Sequence, residues 1–434
     1  MPEGGRTVIL GGGFGGLITA LRLAKQAPDN EVVVIDKNDV HVYTPWLYEV
    51  ATGFLVHMKK SQLNALTRTA GYKFSEIKRL SGLENLIFKR DEVTGCDFRT
   101  KHALLSDGKT LRYDQLVIAL GSQTASYGIP GCMEYGLQMK ALDDALKIQN
   151  ELHAIFQESK FRHRTFTIVV GGGGFTGTET AGELAHFFQV CQKAGVCPQG
   201  AIRIVLLEAS ADILSQLPKI IRYWAYKRLH TLNVDVLQNT VIAEVKKKSV
   251  IVEPRKKSEN EIYPPESPIN KKTEIVADLF IWAGGIKPNS MLKDFALPKD
   301  QRGRLKINPT MQVEGHPDVF ALGDVVALRN EQKDYLVPPT ADATIRQAKL
   351  LANNLARYQK SKPPRSFRFP SVWPAVIPIG GQFALATVKG LSLKGRLVFY
   401  LRRLVDLKYL MMIFPFFHAY KIWRKGVAMF ELND

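Results

Sequence analysis

Residues 7–36 read TVILGGGFGGLITALRLAKQAPDNEVVVID. Thr7–Leu10 has the composition of a buried strand, Gly11–Gly16 is a glycine turn, Leu17–Ala27 carries apolar residues at helical spacing, and Val32–Ile35 is a second strand. Strand, turn, helix and strand make a β-α-β unit. Within the turn, Gly11, Gly13 and Gly16 stand in the spacing G-x-G-x-x-G, with Phe14 and Gly15 completing it. Backbone N–H groups at a helix start can face a diphosphate only if the main chain comes close, and glycines permit that approach. Asp36 ends the second strand, 20 residues past Gly16, where a carboxylate can accept both hydroxyls of a ribose; Lys37 follows it. The stretch predicts a dinucleotide site.

The same grammar returns about 160 residues later. Phe166–Val170 reads as a strand, Gly172, Gly174 and Gly177 repeat the spacing, a helix runs to about Gln192, and Ile202–Leu207 is the second strand, closed by Glu208. Gly171 is an extra glycine without an assigned purpose. An acid at position 208 would repel a 2′-phosphate and no arginine follows at once, so NADH is expected rather than NADPH. Three further apolar runs end in glycine: residues 113–121 (YDQLVIALG), 278–285 (DLFIWAGG) and 319–323 (VFALG). Runs of this kind suit central parallel strands buried on both faces, with their glycines at the carboxyl edge where ligands of open α/β sheets sit. The expected fold is therefore α/β with two Rossmann-like units. Two dinucleotide sites in one chain suggest a hydride relay, which requires FAD in the first site and NADH in the second to meet face to face across a shared cleft.

The remaining composition narrows the class. The chain has 434 residues, enough for two or three domains, and 45% apolar with 23% charged residues describes a globular protein. Cys96, Cys132, Cys191 and Cys197 show neither a C-x-x-C pair nor ligand spacing with histidine, so reduced thiols are expected, with no metal site and no redox disulfide. No signal peptide is visible and nothing suggests export. The net charge of +18 is concentrated rather than spread. Lys389–Phe430 holds nine Lys or Arg against Asp406 alone, and Lys246–Lys272 holds eight against four Glu. That distribution argues against nucleic acid, which needs basic residues over one folded face. Residues 254–273 are expected to form an exposed hairpin or loop insertion, and the Pro-rich, basic Ser361–Pro370 a linker.

Taken together the motifs resemble those of the type II NADH dehydrogenases, single-chain NADH:quinone oxidoreductases that do not pump protons. The resemblance covers nearly the full length. It rests on GGGFGG, HVYTPWLYEVATG (41–53), GGGGFTGTETAGEL (171–184), WAGGIKPN (282–289), GHPDVFALGD (315–324) and VPPTA (337–341). It implies that Pro45 and Leu47 pass near the isoalloxazine and that Ala119 and Gly121 line the FAD site. It also implies that Asp324 bonds the ribityl or pyrophosphate part and that Ala341 lies by the flavin's pyrimidine end. Glu179 would sit by the nicotinamide with Gly284 and Gly285. Sulfide:quinone and disulfide reductases share the plan but relay electrons through paired cysteines, which this chain lacks. Where the family carries A-Q-x-A-x-Q after the PPTA turn, this chain has Asp342 and Arg346 in place of the two glutamines. Four residues apart on a helix, they can pair with each other at the quinone end, or form an ordinary surface ion pair.

The tail from Leu391 to Phe430 alternates basic residues with Phe, Tyr, Trp and Leu, and its longest charge-free run is 12 residues, Tyr409–Tyr420, too short to span a bilayer. Helices that lie on an anionic membrane surface have this pattern, which predicts peripheral, monotopic attachment on the cytoplasmic side. A homodimer interface, or packing on the protein's own core, are the rival uses. The expected divisions are a first FAD part at 1–125, an NADH part at 126–285, a second FAD part at 286–358 and a membrane-association region at 359–434. Two other functions remain open: an NADH-dependent reductase with a soluble acceptor, and a slow-turnover redox sensor or scaffold.

Overall fold

The computed structural model describes residues 5–53, 68–157, 164–195, 197–255 and 269–430. β1 (Arg6–Leu10) runs through the glycine turn into α1 (Phe14–Gln26), and β2 (Glu31–Asp36) returns beside β1. The helix starts three residues before the expected Leu17, because the Leu17 N–H already donates to the Gly13 carbonyl at 2.9 Å. The short helix α2 (Leu47–Thr52) follows, then β3 (Leu86–Arg90), β4 (Gln115–Ile118) and an exit strand, β5 (Ser122–Thr124).

The second unit repeats the pattern. β6 (Leu137–Gln138), β7 (Phe166–Gly171), α3 (Phe175–Lys193), β8 (Ile202–Leu207), β9 (Val234–Leu237) and β10 (Leu279–Trp282) come in that order. The chain returns through β11 (Ile286–Pro288) to β12 (Val319–Ala321) and α4 (Ala341–Tyr358). The first sheet runs β12-β4-β1-β2-β3 and the second β6-β10-β7-β8-β9, and every pairing in both is parallel. The three apolar runs ending in glycine are β4, β10 and β12, all within these two sheets and almost wholly buried, as strands covered on both faces must be. Since β12 pairs with β4 in the first sheet while the whole second unit lies between them in the chain, the second unit is inserted into the first. The exit and return strands pair with each other, β5 antiparallel to β11 with Gln123 opposite Lys287, and this ribbon ties the units together.

Three expectations about connections are refined. The 254–273 stretch joins two antiparallel strands, with Val252 opposite Thr273; its residues 256–268 lie outside the described residues. Ser361–Pro370 is extended but not a loose linker: Asn354 donates to the Arg365 carbonyl (2.9 Å) and accepts from its N–H (2.8 Å), and Phe367 is buried. The tail is not helical from Leu391. β13 (Ala375–Pro378), β14 (Ala384–Val388) and β15 (Leu391–Gly395) form an antiparallel sheet that leads into α5 (Arg396–Ile413) and α6 (Phe416–Phe430). No helix among the described residues is long and apolar enough to cross a membrane.

Asn354 also donates to the Thr310 carbonyl at 3.2 Å and is fully buried, so Asn354→Ala strands three main-chain groups. The expected loss is about 2–4 kcal/mol, read as a lower urea midpoint with an unchanged slope.

Candidate active site between the two nucleotide units

Both glycine turns are built alike. Gly11 has φ +102° and Gly172 φ +103°, the region that excludes side chains. A Cβ on Gly16 would stand 1.8 Å from the Gly11 carbonyl oxygen, and one on Gly177 the same 1.8 Å from that of Gly172. The ends of β4 and β10 press against the turns from behind: a Cβ on Gly11 would meet the Ala119 carbonyl oxygen at 2.5 Å, and one on Gly172 the Gly284 Cα at 2.4 Å. Gly13 and Gly174 differ, since a Cβ there would meet nothing within 4 Å. Each precedes a helix whose N-terminus has no side-chain cap, so the first N–H groups face open space. This cradle fits a diphosphate at both sites. Gly171, unassigned from sequence, ends β7 against the Trp282 ring, which a Cβ would meet at 2.8 Å.

The two strand-end acids are held in matching positions. Asp36 accepts from the Gly12 N–H (2.7 Å) and Glu208 from the Gly173 N–H (2.6 Å), which leaves each carboxylate with lone pairs for a ribose. Lys37 is exposed beside Asp36. Asp324 accepts from the Ser122 hydroxyl (2.5 Å), and Lys140 donates to the same hydroxyl (2.7 Å). Gly121 has φ +66° at the end of β4, and Ala341 opens α4 behind its cap, Thr340. Gln347, which the sequence did not single out, accepts from the Gly323 N–H at 2.7 Å and fixes the turn that carries Asp324. Gly285 lies under the Tyr127 ring, where any side chain would collide. Leu47 is buried and Pro45 half-buried in the segment that leads into α2. Asp342 and Arg346 do pair, at 2.6 Å, with both side chains 44% exposed.

Glu179 lies in the second turn of α3 rather than the first, so it does not answer the helix dipole. Burial, with Glu49 and Asp406 adding like charge against Arg402, pushes its carboxyl up to about 8. It is thus neutral at pH 7 and ionises as the pH rises through about 8.

The structure corrects the reading of the tail. Arg402 and Arg403 were counted among the membrane-facing basic residues, yet both are buried against the first unit. Arg403 grips Glu49 through Nη1 at 2.9 and 3.1 Å, Arg402 pairs with Asp406, and Asp406 accepts from Tyr43 (2.6 Å) and Trp46 (3.0 Å). Tyr48 donates to Glu49 at 2.7 Å. His41 contacts the Gly12 carbonyl through Nδ1 (3.0 Å) and the Tyr409 hydroxyl through Nε2 (2.7 Å), and burial lowers it to about 4, so it is the neutral ring that donates to the carbonyl and accepts from the tyrosine. Phe14 packs against His41, Tyr43 and Tyr409. None of Glu49, Arg402, Arg403 or Asp406 was expected at a site. The signal for the last three was the helical spacing of Arg402, Arg403, Asp406 and Tyr409, which sets an acid on the same face as two arginines.

Two glycine cradles with strand-end acids, set in an inserted pair of parallel sheets, define a flavoprotein of the two-dinucleotide type. The model of the pyridine nucleotide-disulphide oxidoreductase family matches residues 5–348. Demethylphylloquinone reductase NdbB of Synechocystis is 31% identical over 93% of this chain and 91% of its own length. A type II NADH:quinone oxidoreductase of Staphylococcus saprophyticus is 25% identical over 92% and 94%. The structure of NDH2 from Plasmodium falciparum in complex with NADH superposes with TM-score 0.80 over 98% of both chains at 20% identity. The chain belongs to the pyridine nucleotide-disulphide oxidoreductase family, in its type II NADH dehydrogenase branch, and its cofactors are FAD and NADH.

The two turns are separable by mutation. Gly16→Ala is expected to yield protein without flavin colour. Gly177→Ala should keep the flavin absorbance while the NADH dissociation constant rises at least about tenfold, the cost of displacing a main-chain oxygen.

Proposed function

We propose that the protein is a membrane-surface NADH:quinone oxidoreductase that does not pump protons. The observation that carries the reading is the pair of matching cradles on one rigid, ribbon-tied frame. FAD held in the first cradle would supply two-electron chemistry between NADH and the quinone. The chain's own part is to hold and orient. The 11–16 turn with Asp36 grips the first dinucleotide and the 172–177 turn with Glu208 the second, while Asp324, Gly121, Ala119, Ala341, Pro45 and Leu47 surround the flavin end. At the nicotinamide end, Gly284 lets the main chain pass close against Gly172 and the Trp282 ring, and Gly285 close against the Tyr127 ring. Glu179 holds a proton at neutral pH and is placed to give it up in the quinol-forming step. The Asp342–Arg346 pair stands at the acceptor end in place of two amides.

The arrangement of the tail supports attachment to a membrane. α5 buries Arg402, Arg403 and Asp406 among Val398, Phe399, Leu410 and Ile413, and turns Leu397, Leu401, Leu404 and Val405 outward. At the start of α6, Phe416 and Phe417 are exposed, Phe417 by 85%. Lys394, Arg396, Lys408, Lys421, Arg424 and Lys425 are exposed around this apolar face. An exposed apolar patch with cations nearby is the kind of surface that an anionic bilayer binds, which supports the reading that the quinone reaches the protein from the lipid.

Three outcomes test the reading. Purified protein is expected to be yellow, to bleach with NADH without oxygen, and to recover colour faster with a ubiquinone or menaquinone analogue than with air; recovery only with a soluble iron-sulfur protein would select the other acceptor class. Quinone reduction should decline as the pH rises through about 8, where Glu179 loses its proton, and Glu179→Gln should abolish that break. Finally, Leu404→Glu with Phe417→Glu should cut sedimentation with phosphatidylglycerol vesicles at least about tenfold without lowering Tm. Unchanged sedimentation, or a dimer that stays in the supernatant, would contradict attachment through this face.

A further inference from the structure

The inward face of α5 has a use that its stability does not demand. Glu49, Arg402, Arg403 and Asp406 are all buried, two of each sign, and Asp406 has no exposed surface. Replacing such a group of charges by apolar residues of like volume is commonly neutral or stabilising, so a buried network under a surface helix calls for a reason other than adhesion. Its placement supplies one. The four side chains that the tail helix holds through it, Tyr43, Trp46, Glu49 and, through Glu49, Tyr48, bracket Pro45 and Leu47 on both sides. A separate arm reaches the first glycine turn itself, from Tyr409 through His41 to the Gly12 carbonyl. α6 closes the arrangement from outside, where Trp423 donates to the Arg403 carbonyl at 2.7 Å.

We propose that the Glu49–Arg403 pair and Asp406 are positioning residues for the acceptor half of the reaction: they lock the 43–49 segment against the flavin, so they govern quinone reduction and not the uptake of hydride from NADH. The proposal rests on the NADH:quinone reading above. The second glycine turn is built from α3 and the ends of β7 and β10 without the 43–49 segment, although Glu49, Arg402 and Asp406 also bear electrostatically on Glu179, the residue assigned the quinol proton above. The tail helix and the segment it grips lie on the side that presents the apolar face. Glu49 and Arg403 make their contact across 354 residues of sequence, so no local preference places them together.

The test separates the two half-reactions in the flavin-loaded, full-length protein. For Glu49→Gln and Asp406→Asn, stopped-flow bleaching by NADH is expected within about twofold of the parent, while recovery of colour with decylubiquinone or menadione slows at least about tenfold. The flavin's visible absorption band should shift, and FAD affinity, from titration of the apoprotein, should weaken. Removal of both charges together, Glu49→Gln with Arg403→Met, guards against simple loss of folding, since Asp406 keeps Arg402 as its partner. The double change is expected to restore Tm relative to either single change yet leave quinone reduction slow, because it removes the unpaired charge but does not restore the grip on the 43–49 segment. Restored Tm with restored quinone reduction would overturn the proposal, showing a clamp and nothing more. Equal slowing of both half-reactions, or of neither, would overturn it as well. If the parent protein itself is not reoxidised by either quinone, the underlying reading fails instead.

Discussion

A hydride passes between two rings only when they are in contact, and the whole architecture answers that distance. One nucleotide unit alone could bind its ligand with wide tolerance. Two units that must present their ligands to each other cannot be joined by a flexible linker, because effective concentration falls steeply once the rings are free to miss. The insertion of the second unit into the first meets the demand through two chain crossings instead of one, and the pairing of β5 with β11 makes those crossings a ribbon. The turns that carry the ligands are fixed just as firmly, since the ends of β4 and β10 lie against Gly11 and Gly172 at distances that leave no room for a side chain.

The tail helix shows how burial and exposure can be reversed by function. In a helix that only covers a core, apolar residues turn inward and charges outward. α5 buries Arg402, Arg403 and Asp406 and exposes Leu397, Leu401, Leu404 and Val405. Each buried arginine is matched by a carboxylate, and the two carboxylates also accept hydrogen bonds from Tyr43 and Trp46 (Asp406) or Tyr48 (Glu49), which lowers the desolvation cost. The exposed face is then free to meet a different solvent. The same helix thereby joins the 43–49 segment to an exposed apolar surface.

Much of this was legible in the sequence, and the reasons are local. The glycine spacing, the strand-end acids Asp36 and Glu208, and the apolar runs that became β4, β10 and β12 each express a constraint within a few dozen residues. Helix boundaries were less legible: α1 begins inside its motif because the Gly13 carbonyl already accepts a helical bond from the Leu17 N–H. Gly171 had no visible purpose until Trp282, over a hundred residues away, was found against it. The buried network was missed for the same reason. Arg402 and Arg403 look like any basic pair beside leucines, and only the distant Glu49 and Tyr43 reveal which way they point. Asp342 and Arg346, by contrast, are a four-residue problem, and the pair expected from their spacing is present.

Contact between the two rings is the central claim, and the most direct test of it is isotopic. The flavin bleaching rate would be measured with NADH carrying deuterium in one or the other position at C4 of the nicotinamide. Fixed stacking across the cleft predicts a several-fold slowing for one of the two labelled forms and almost none for the other, because only one face of the ring can lie against the flavin. Equal rates with both forms when hydride transfer limits bleaching, or slowing shared equally between them, would mean that the rings are not held face to face and would contradict the account.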